Sequence, residues 1–325
     1  MIHPKDKLIP PTFYDVLMAR RRIAPYLRPT PTFNSPLLDD TLGFSAHVKC
    51  ENLQPIGAFK VRGGINLMSI LADTTRERGV VTASSGNHGQ SIAYAGALFG
   101  VPVRVYVPAG SEPLKIRSMQ AMGAEVVVEG RDYDEAREAA EAAAVSEDKY
   151  FVHTCNEPHL IAGVATATLE LLEVVPDLDV LIVPIGGGSC ACGAGLVAKT
   201  VNPAIRVIGV QAEGADAVYR SWRSGRLETV PQVDTFAGGL ATRVAFELPL
   251  EMLRDLLDDF LLVSDEEMIE GIKFLMDMTH QVAEGAGAAS TAAALRMRED
   301  LAGMRVGIML SGGNIGVETL AQLWG

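Results

Sequence analysis

Short apolar runs alternate with amphipathic or alanine-rich stretches along most of the chain. Each run is four to six residues long and rich in Val, Ile and Leu, which is typical of strands that are buried on both faces. The predicted strands are 80–83, 103–107, 125–128, 180–185, 207–210, 260–263 and 306–310. Helices are predicted at 87–99, 112–122 and 132–145, and Ser264 with Glu267 forms a capping box before another. The alternation predicts an α/β protein with open parallel sheets.

Three glycine-containing turns follow predicted strands and open predicted helices. They are S-S-G-N-H-G at 84–89, G-G-G-S-C at 186–190 and S-G-G-N at 311–314. In open α/β sheets, ligands bind at the carboxyl ends of the strands, where such turns lie. We therefore expect a ligand site where the three turns meet. No Pro- or Ser-rich linker marks a domain boundary, which is compatible with one domain inserted into another.

Residues 180–198 contain no charged side chain and are long enough to span a bilayer. Pro184 and five glycines interrupt this stretch, so a strand, a glycine loop and a helix explain it better than a membrane span. The N-terminus has no apolar segment of the kind found in secretory signals. These features predict a cytoplasmic protein that does not enter a membrane.

The chain has 325 residues, 48% of them hydrophobic, and a formal net charge of −12. This length favours two domains, and the negative charge argues against a nucleic-acid partner. Four cysteines form no CxxC pair, which predicts reduced, buried thiols rather than zinc ligands or disulfides. Arg20, Arg21 and Arg22 are predicted to form the solvated face of an N-terminal helix.

The glycine run after the strand at 180–185 has more than one interpretation. Gly186-x-Gly188-x-x-Ala191, with Glu213 after the next strand, fits a dinucleotide fingerprint and hence a nicotinamide-dependent oxidoreductase. A simpler phosphate site fits equally well, because backbone N–H groups and a helix N-terminus bind any phosphate. A tight turn alone needs fewer glycines. The run predicts anion binding and leaves the kind of phosphate open.

The segment around Lys60 indicates which kind of phosphate the glycine run binds. It lies in E-N-L-Q-P-I-G-A-F-K-V-R-G-G at 51–64, a segment that resembles the cofactor-lysine segment of fold-type II pyridoxal-phosphate enzymes, the threonine dehydratase and serine racemase family. Further segments resemble this family in the same order, namely its substrate-carboxylate loop at 84–90, its linking segment at 156–163, its phosphate cup at 186–190 and its pyridine-nitrogen loop at 311–314. The resemblance covers nearly the whole chain.

The resemblance implies a fold similar to the β subunit of tryptophan synthase. Two open parallel-sheet α/β domains would hold pyridoxal 5'-phosphate between them. Residues 1–71 and 156–325 would form a large, discontinuous domain that binds the cofactor. Residues 72–155 would form a small inserted domain.

The resemblance also implies roles for individual residues. Lys60 would hold the cofactor as a Schiff base and act as the catalytic base at the substrate Cα. The implied cofactor-binding residues are Phe59, Lys60, Asn87, Gly186, Gly187, Gly188, Ser189, Cys190, Glu284 and Ser311. The implied substrate-binding residues are Ser84, Ser85, Gly86, Asn87, His88 and Cys155. A neutral Ser311 beside the pyridine nitrogen makes the ring a weaker electron sink, which suits elimination or racemisation better than transamination.

Several positions leave alternatives open or depart from the family pattern. Ser85 could bind the substrate carboxylate or act as a second catalytic base, and His88 could contact substrate or be a packed structural histidine. Cys155 replaces an Asn that contacts substrate in serine racemases. Ala58 replaces a common Ser. Tyr219 stands where a second acidic metal ligand is expected, so no metal site is predicted.

The expected activity is that of a pyridoxal-phosphate-dependent ammonia-lyase, or dehydratase, of a threonine- or serine-like β-hydroxy-α-amino acid. The products would be a 2-oxo acid and ammonia. The alternatives are an amino-acid racemase and a dehydratase of phenylserine, 3-hydroxyaspartate or an ectoine-derived amino acid. The expected partners are this small-molecule substrate and further copies of the chain, in a homodimer or homotetramer.

Overall fold

The strands form one six-stranded and one four-stranded sheet in the computed structural model, which describes residues 8–84 and 86–323. This arrangement, with helices between the strands, confirms the predicted α/β class. The strands are β1 (Thr32–Phe33), β2 (Ser45–Cys50), β3 (Val80–Ala83), β4 (Val103–Val107), β5 (Glu125–Val128), β6 (Tyr150–Phe151), β7 (Val180–Pro184), β8 (Arg206–Ala212), β9 (Asp259–Val263) and β10 (Arg305–Leu310).

Helices connect most of these strands. The helices are α1 (Phe13–Ile23), α2 (Pro36–Leu42), α3 (Val61–Ile70), α4 (Asp73–Arg78), α5 (Asn87–Phe99), α6 (Pro113–Ala121), α7 (Tyr133–Ser146), α8 (Pro158–Val174), α9 (Ser189–Val201), α10 (Ala217–Ser224), α11 (Glu247–Leu256), α12 (Asp265–Thr279), α13 (Gly285–Arg296) and α14 (Val317–Leu323).

The six-stranded sheet has the order β1-β2-β10-β7-β8-β9. β1 is antiparallel to β2, and all other neighbours are parallel. Apolar side chains of α8, α9 and α11 pack on one face, and those of α2, α12 and α13 pack on the other. Because both faces are covered, every residue of β7 is buried, which explains its uninterrupted apolar sequence.

The four-stranded sheet has the order β5-β4-β3-β6 and is parallel throughout. α7 packs on one face, while α3 and α5 pack on the other. Its strands all fall within residues 80–151. They therefore lie inside the proposed small domain of residues 72–155, whose boundaries stay a prediction.

Several element boundaries agree with the predicted ones. β3, α5, β4 and β5 have the predicted bounds, and Ser264 and Glu267 form the expected capping box at the start of α12. Residues 180–198 fold into β7, a glycine loop and most of α9. Within residues 8–84 and 86–323, no helix has the length and apolar character that crossing a membrane requires. The four cysteines are free and buried, as predicted.

One central strand and one helix face depart from the sequence pattern. β2 carries Lys49, which hides it from a search for apolar runs, yet Lys49 is completely buried and its Nζ donates to Glu170 Oε2 at 2.7 Å. The expectation of a solvated arginine face on α1 is wrong for Arg20, which forms an ion pair with the same buried Glu170. Both differences arise because the buried carboxylate of Glu170 is paired with positive side chains inside the protein.

Candidate active site

A cavity of about 200 Å³ lies where strands of both sheets end. Ser84 after β3, Pro184 at the end of β7 and Ser311 after β10 line its wall. The three glycine-containing turns predicted to meet at a ligand site therefore do meet there. The described residues of these turns come from both sheets, so the cavity lies between the two.

Lys60, the residue directly before α3, projects into this cavity. Its Nζ lies 2.8 Å from Ser189 Oγ, to which it donates a hydrogen bond, and 3.4 Å from the backbone oxygen of Thr154. It also lies 5.3 Å from the centre of the Phe59 ring. The amine of the predicted cofactor lysine is thus placed directly at the predicted phosphate loop.

The glycine loop before α9 has no room for side chains. A Cβ at Gly186 would lie 2.2 Å from the backbone oxygen of Gly239, and one at Gly187 would lie 2.1 Å from Cys155 Sγ. Gly188 has φ of 101°, a left-handed conformation that favours glycine. The loop therefore exposes bare backbone at a helix N-terminus, which is how proteins bind phosphate groups. These residues fit the phosphate of pyridoxal phosphate.

The N-termini of α3, α5, α9 and α13 all lie at the wall of the cavity. Lys60, Asn87, Ser189 and Glu284 mark these four helix starts, and each lines the cavity. Unpaired N–H groups and the helix dipole make each N-terminus partly positive. The cavity is consequently suited to a ligand with several negative groups, such as a phosphate and a carboxylate.

Asn87 is held from two sides at the start of α5. Its Nδ2 donates to Glu284 Oε1 at 2.6 Å, and its Oδ1 accepts from Asn314 Nδ2 at 2.8 Å. Burial raises the pKa of Glu284, and the charge of Lys115 and the hydrogen bond from Asn87 partly oppose this rise. The predicted site residues Asn87 and Glu284 are therefore direct neighbours.

The turn at 84–88 contains a local hydrogen bond and a buried histidine. Ser84 Oγ accepts from the backbone N–H of Gly86 at 3.1 Å. His88 Nε2 lies 2.8 Å from Thr82 Oγ1, and that hydroxyl donates to the backbone oxygen of Val152. The Thr82 oxygen is then left to accept, so Nε2 carries the proton. Burial places the pKa of His88 well below its ordinary value, which favours the neutral ring.

The predicted roles of this turn receive different support. His88 has the hydrogen bond of a structural histidine and also lines the cavity, together with Ser84, Gly86 and Asn87. Its contact with substrate stays a prediction. Ser85 lies outside the described residues, so its two alternative roles also stay predictions.

Other predicted residues line the same cavity. Ser311 is buried, and its hydroxyl donates to the backbone oxygen of Ala286 at 3.4 Å. Burial raises the pKa of the Cys155 thiol, and it raises that of Cys190 to about 12. Both cysteines are therefore neutral, and their predicted roles are limited to shape and hydrogen bonding.

Several lining residues were not found from the sequence. Lys115 on α6, Tyr133 on α7 and Phe246 before α11 all face the cavity. Tyr133 Oη lies 3.1 Å from Thr154 Oγ1, and burial raises the pKa of the tyrosine. Lys115 follows a predicted helix start, and the side chains of Tyr133 and Phe246 belong to no motif with a fixed spacing. Only the fold brings them to the cavity.

Comparison with known proteins agrees with this geometry. Residues 23–312 match the family described as "Pyridoxal-phosphate dependent enzyme". The chain is 38% identical over 312 residues to L-threonine ammonia-lyase from Thermotoga maritima, covering 96% of this chain and 78% of that one. It is 36% identical over 316 residues to L-threo-3-hydroxyaspartate ammonia-lyase from Saccharomyces cerevisiae, covering 97% of each. The solved structure of maize serine racemase matches with a TM-score of 0.92 at 33% identity, covering 97% of each chain.

The chain therefore belongs to the pyridoxal-phosphate-dependent enzyme family and has its fold type II architecture. The expected cofactor, pyridoxal 5'-phosphate, is confirmed at the level of the family. The nicotinamide interpretation of Gly186 to Glu213 is wrong, because that fingerprint leaves the lysine at the phosphate loop without a role. The roles of individual site residues stay proposals.

Proposed function

We propose that this protein is an ammonia-lyase that acts on a β-hydroxy-α-amino acid and releases a 2-oxo acid and ammonia. The observation that carries the proposal is the 2.8 Å contact between Lys60 Nζ and Ser189 Oγ, at the glycine loop of α9. It puts an amine that can both anchor the cofactor and move a proton beside a phosphate site. Two similar proteins are themselves named ammonia-lyases, one of threonine and one of 3-hydroxyaspartate.

The chain supplies the anchoring, binding and proton transfer that this reaction needs. Bound pyridoxal phosphate supplies an electron sink that stabilises negative charge on the substrate Cα. Lys60 takes the proton from Cα and delivers it to the β-hydroxyl, which leaves as water while the Cα–H electron pair forms the Cα–Cβ double bond. Hydrolysis of the released enamine then gives the 2-oxo acid and ammonia.

The substrate carboxylate is proposed to bind at residues 84–88, where α5 begins. The partly positive helix end attracts an anion, and the hydroxyl of Ser84 lies at the cavity wall. The neutral His88 adds no positive charge at this wall.

The proposal is tested by incubating the purified protein with pyridoxal phosphate and a panel of β-hydroxy amino acids. The panel contains serine, threonine, threo-3-hydroxyaspartate and phenylserine, and both 2-oxo acid and ammonia are measured. Borohydride reduction is expected to attach the cofactor to Lys60. Lys60→Ala should abolish turnover, whereas Lys273→Ala, which removes a partly exposed lysine on α12, should not. A colourless wild-type protein, or one that releases no ammonia from the panel, would contradict the proposal.

A racemase is the second candidate, and the match to maize serine racemase favours it. Both reactions begin with removal of the Cα proton by Lys60, so they differ in which group acts on the opposite face. We propose Ser85 for that face. If elimination is the main activity, Ser85→Ala should retain 2-oxo acid formation from the L-substrate and lose any production or use of the D-enantiomer.

Chiral chromatography beside an ammonia assay separates the two candidates. Wild-type protein that interconverts enantiomers faster than it releases ammonia would establish the racemase. Loss of L-substrate elimination in Ser85→Ala would assign the hydroxyl to carboxylate binding instead.

Assembly and location complete the proposal. We propose a homodimer or homotetramer in the cytoplasm. Exposed apolar side chains such as Tyr14 and Leu17 on α1 support self-association, because a contact would remove them from water. Light scattering of the purified protein would give its mass, and a monomer at micromolar concentration would contradict the assembly.

A further inference from the structure

Asn314, the last residue of the turn at 311–314, connects the Lys60 segment to α5. Its Nδ2 donates to the backbone oxygen of Ile56 at 2.8 Å and to Asn87 Oδ1 at 2.8 Å. Asn87 Nδ2 in turn donates to Glu284 Oε1 at 2.6 Å. Asn314 is absent from the residues that line the cavity, so it can affect a bound ligand only through a neighbour.

This chain of hydrogen bonds has one direction. A backbone carbonyl can only accept, so Ile56 fixes which end of the Asn314 amide faces it. The Asn314 amino group must then meet an acceptor on Asn87, which fixes Oδ1 on that side. Rotating the Asn87 amide by half a turn would place two donors face to face and would leave Glu284 opposite an oxygen.

The orientation determines what Asn87 offers to the cavity. Its Nδ2 carries two hydrogens, and Glu284 accepts one of them. The other hydrogen stays available to a ligand, since Asn87 lines the cavity. We propose that Asn314 is a positioning residue that keeps Asn87 as a donor toward the phenolic oxygen of bound pyridoxal phosphate. This inference rests on the proposed function and on the cofactor-binding role that the family resemblance implies for Asn87.

Glycines leave the space that this arrangement requires. A Cβ at Gly57 would lie 2.5 Å from Asn314 Oδ1, and Gly57 has φ of 69°, in the left-handed region. A Cβ at Gly312 would lie 2.4 Å from Glu284 Oε1. Gly313 N–H donates to the backbone oxygen of Gly57 at 2.9 Å, which ties the two segments together. Asn314 and Glu284, the two hydrogen-bond partners of the Asn87 side chain, are thus held in close-fitting positions.

Asn52 provides a matched control close to the same turn. Its Nδ2 also donates to a side-chain oxygen, that of Gln281 at 3.0 Å, and to a backbone oxygen, that of Val282 at 3.2 Å. It has no hydrogen bond to Asn87. Asn52→Asp and Asn314→Asp therefore make the same chemical change in the same kind of setting, and only the second acts on Asn87.

The test is the visible absorption spectrum of the holoenzyme. A donor to the phenolic oxygen favours the form in which that oxygen is ionised. Asn314→Asp is therefore expected to move absorbance from the long-wavelength to the short-wavelength cofactor band and to lower kcat/KM roughly tenfold, the effect of losing one hydrogen bond to a charged group. Asn52→Asp should change neither quantity. Asn314→Ala, which adds no charge, should shift the bands in the same direction and serves if the Asp variant does not fold.

The outcomes separate this inference from the proposed function. An Asn314 variant with a lower melting temperature and an unchanged band ratio would overturn the positioning role. Equal shifts in Asn52→Asp and Asn314→Asp would also overturn it. Wild-type protein that binds no pyridoxal phosphate would overturn the proposed function itself, and this is visible before any variant is made.

Discussion

Arg62 and Glu170 form a buried ion pair between α3 and α8, with Arg62 Nη2 2.7 Å from Glu170 Oε2. Arg62 has no exposed side-chain surface, although it lies only two residues after Lys60. Glu51 binds the other side of the same guanidinium, with Arg62 Nε 2.6 Å from its Oε2. The start of α3, directly after Lys60, is therefore fixed by charges that water does not reach.

Arg62→Met is expected to destabilise the protein by about 3–5 kcal/mol, because it leaves two buried carboxylates without their main partner. Arg78→Met is the matched control, since Arg78 pairs with Asp148 on the surface, where such pairs contribute about 1 kcal/mol or less. Chemical denaturation of both variants measures the free energy of unfolding. Equal losses in the two would show that the buried network does not stabilise the fold.

Stability is expected to fall in acid as Glu170 takes up a proton. Burial alone would raise the pKa of Glu170, but Arg62 and Lys49 outweigh it and lower the pKa from 4.5 to about 2. A pKa that is lower in the folded state stabilises the protein above pH 4.5, and this contribution is lost as the pH falls toward 2.

Glu170→Gln isolates this contribution, because glutamine does not titrate. The difference in unfolding free energy between wild type and Glu170→Gln should be constant near neutral pH and shrink below about pH 4.5. Denaturation at several pH values between about 6 and 3 provides the measurement. A difference that does not change with pH would exclude Glu170 as the source.

Gly187→Ala is expected to weaken binding of pyridoxal phosphate and of inorganic phosphate at the site. The new Cβ would lie 2.1 Å from Cys155 Sγ, so the loop before α9 must shift. Cys155→Ala removes that sulfur and should partly restore affinity in the double variant. The same second change should not rescue Gly186→Ala, whose Cβ would meet the backbone oxygen of Gly239. Titration with the cofactor measures the affinity of each variant. Rescue of both glycine variants by Cys155→Ala, or of neither, would contradict this account of the loop.

Ser311→Ala is expected to lower cofactor affinity about two- to tenfold, the effect of one neutral hydrogen bond, without creating new chemistry. Ser290→Ala is a suitable control, because the Ser290 hydroxyl is buried on α13 and has no hydrogen-bond partner among residues 8–84 and 86–323. Dissociation constants for pyridoxal phosphate give the comparison. Equal affinity in Ser311→Ala and wild type would remove Ser311 from the cofactor site.

The sequence predicts the fold class because β7, and β10 from Val306 onward, are buried on both faces and apolar. The glycine loop is predicted because backbone geometry permits few residue types there. Lys60 is predicted only because its segment resembles the cofactor-lysine segment of the family, since its own backbone conformation suits any residue. The apolar pattern does not reveal β2, because β2 contains the charged Lys49. This side chain can be buried only because Glu170, on the distant helix α8, forms an ion pair with it. Asn314 belongs to a recognised turn, but its effect on Asn87 depends on contacts between segments that are far apart in the chain.

The four helix starts around the cavity have a consequence for how the protein responds to its surroundings. Peptide groups do not titrate, so the attraction they exert on anions does not change with acidity in the way that a lysine or histidine site does. Salt screens them weakly where water is excluded. An enzyme with a net charge of −12 can thus attract a phosphate ester through peptide groups, in addition to the two lysines, Lys60 and Lys115, that line its cavity.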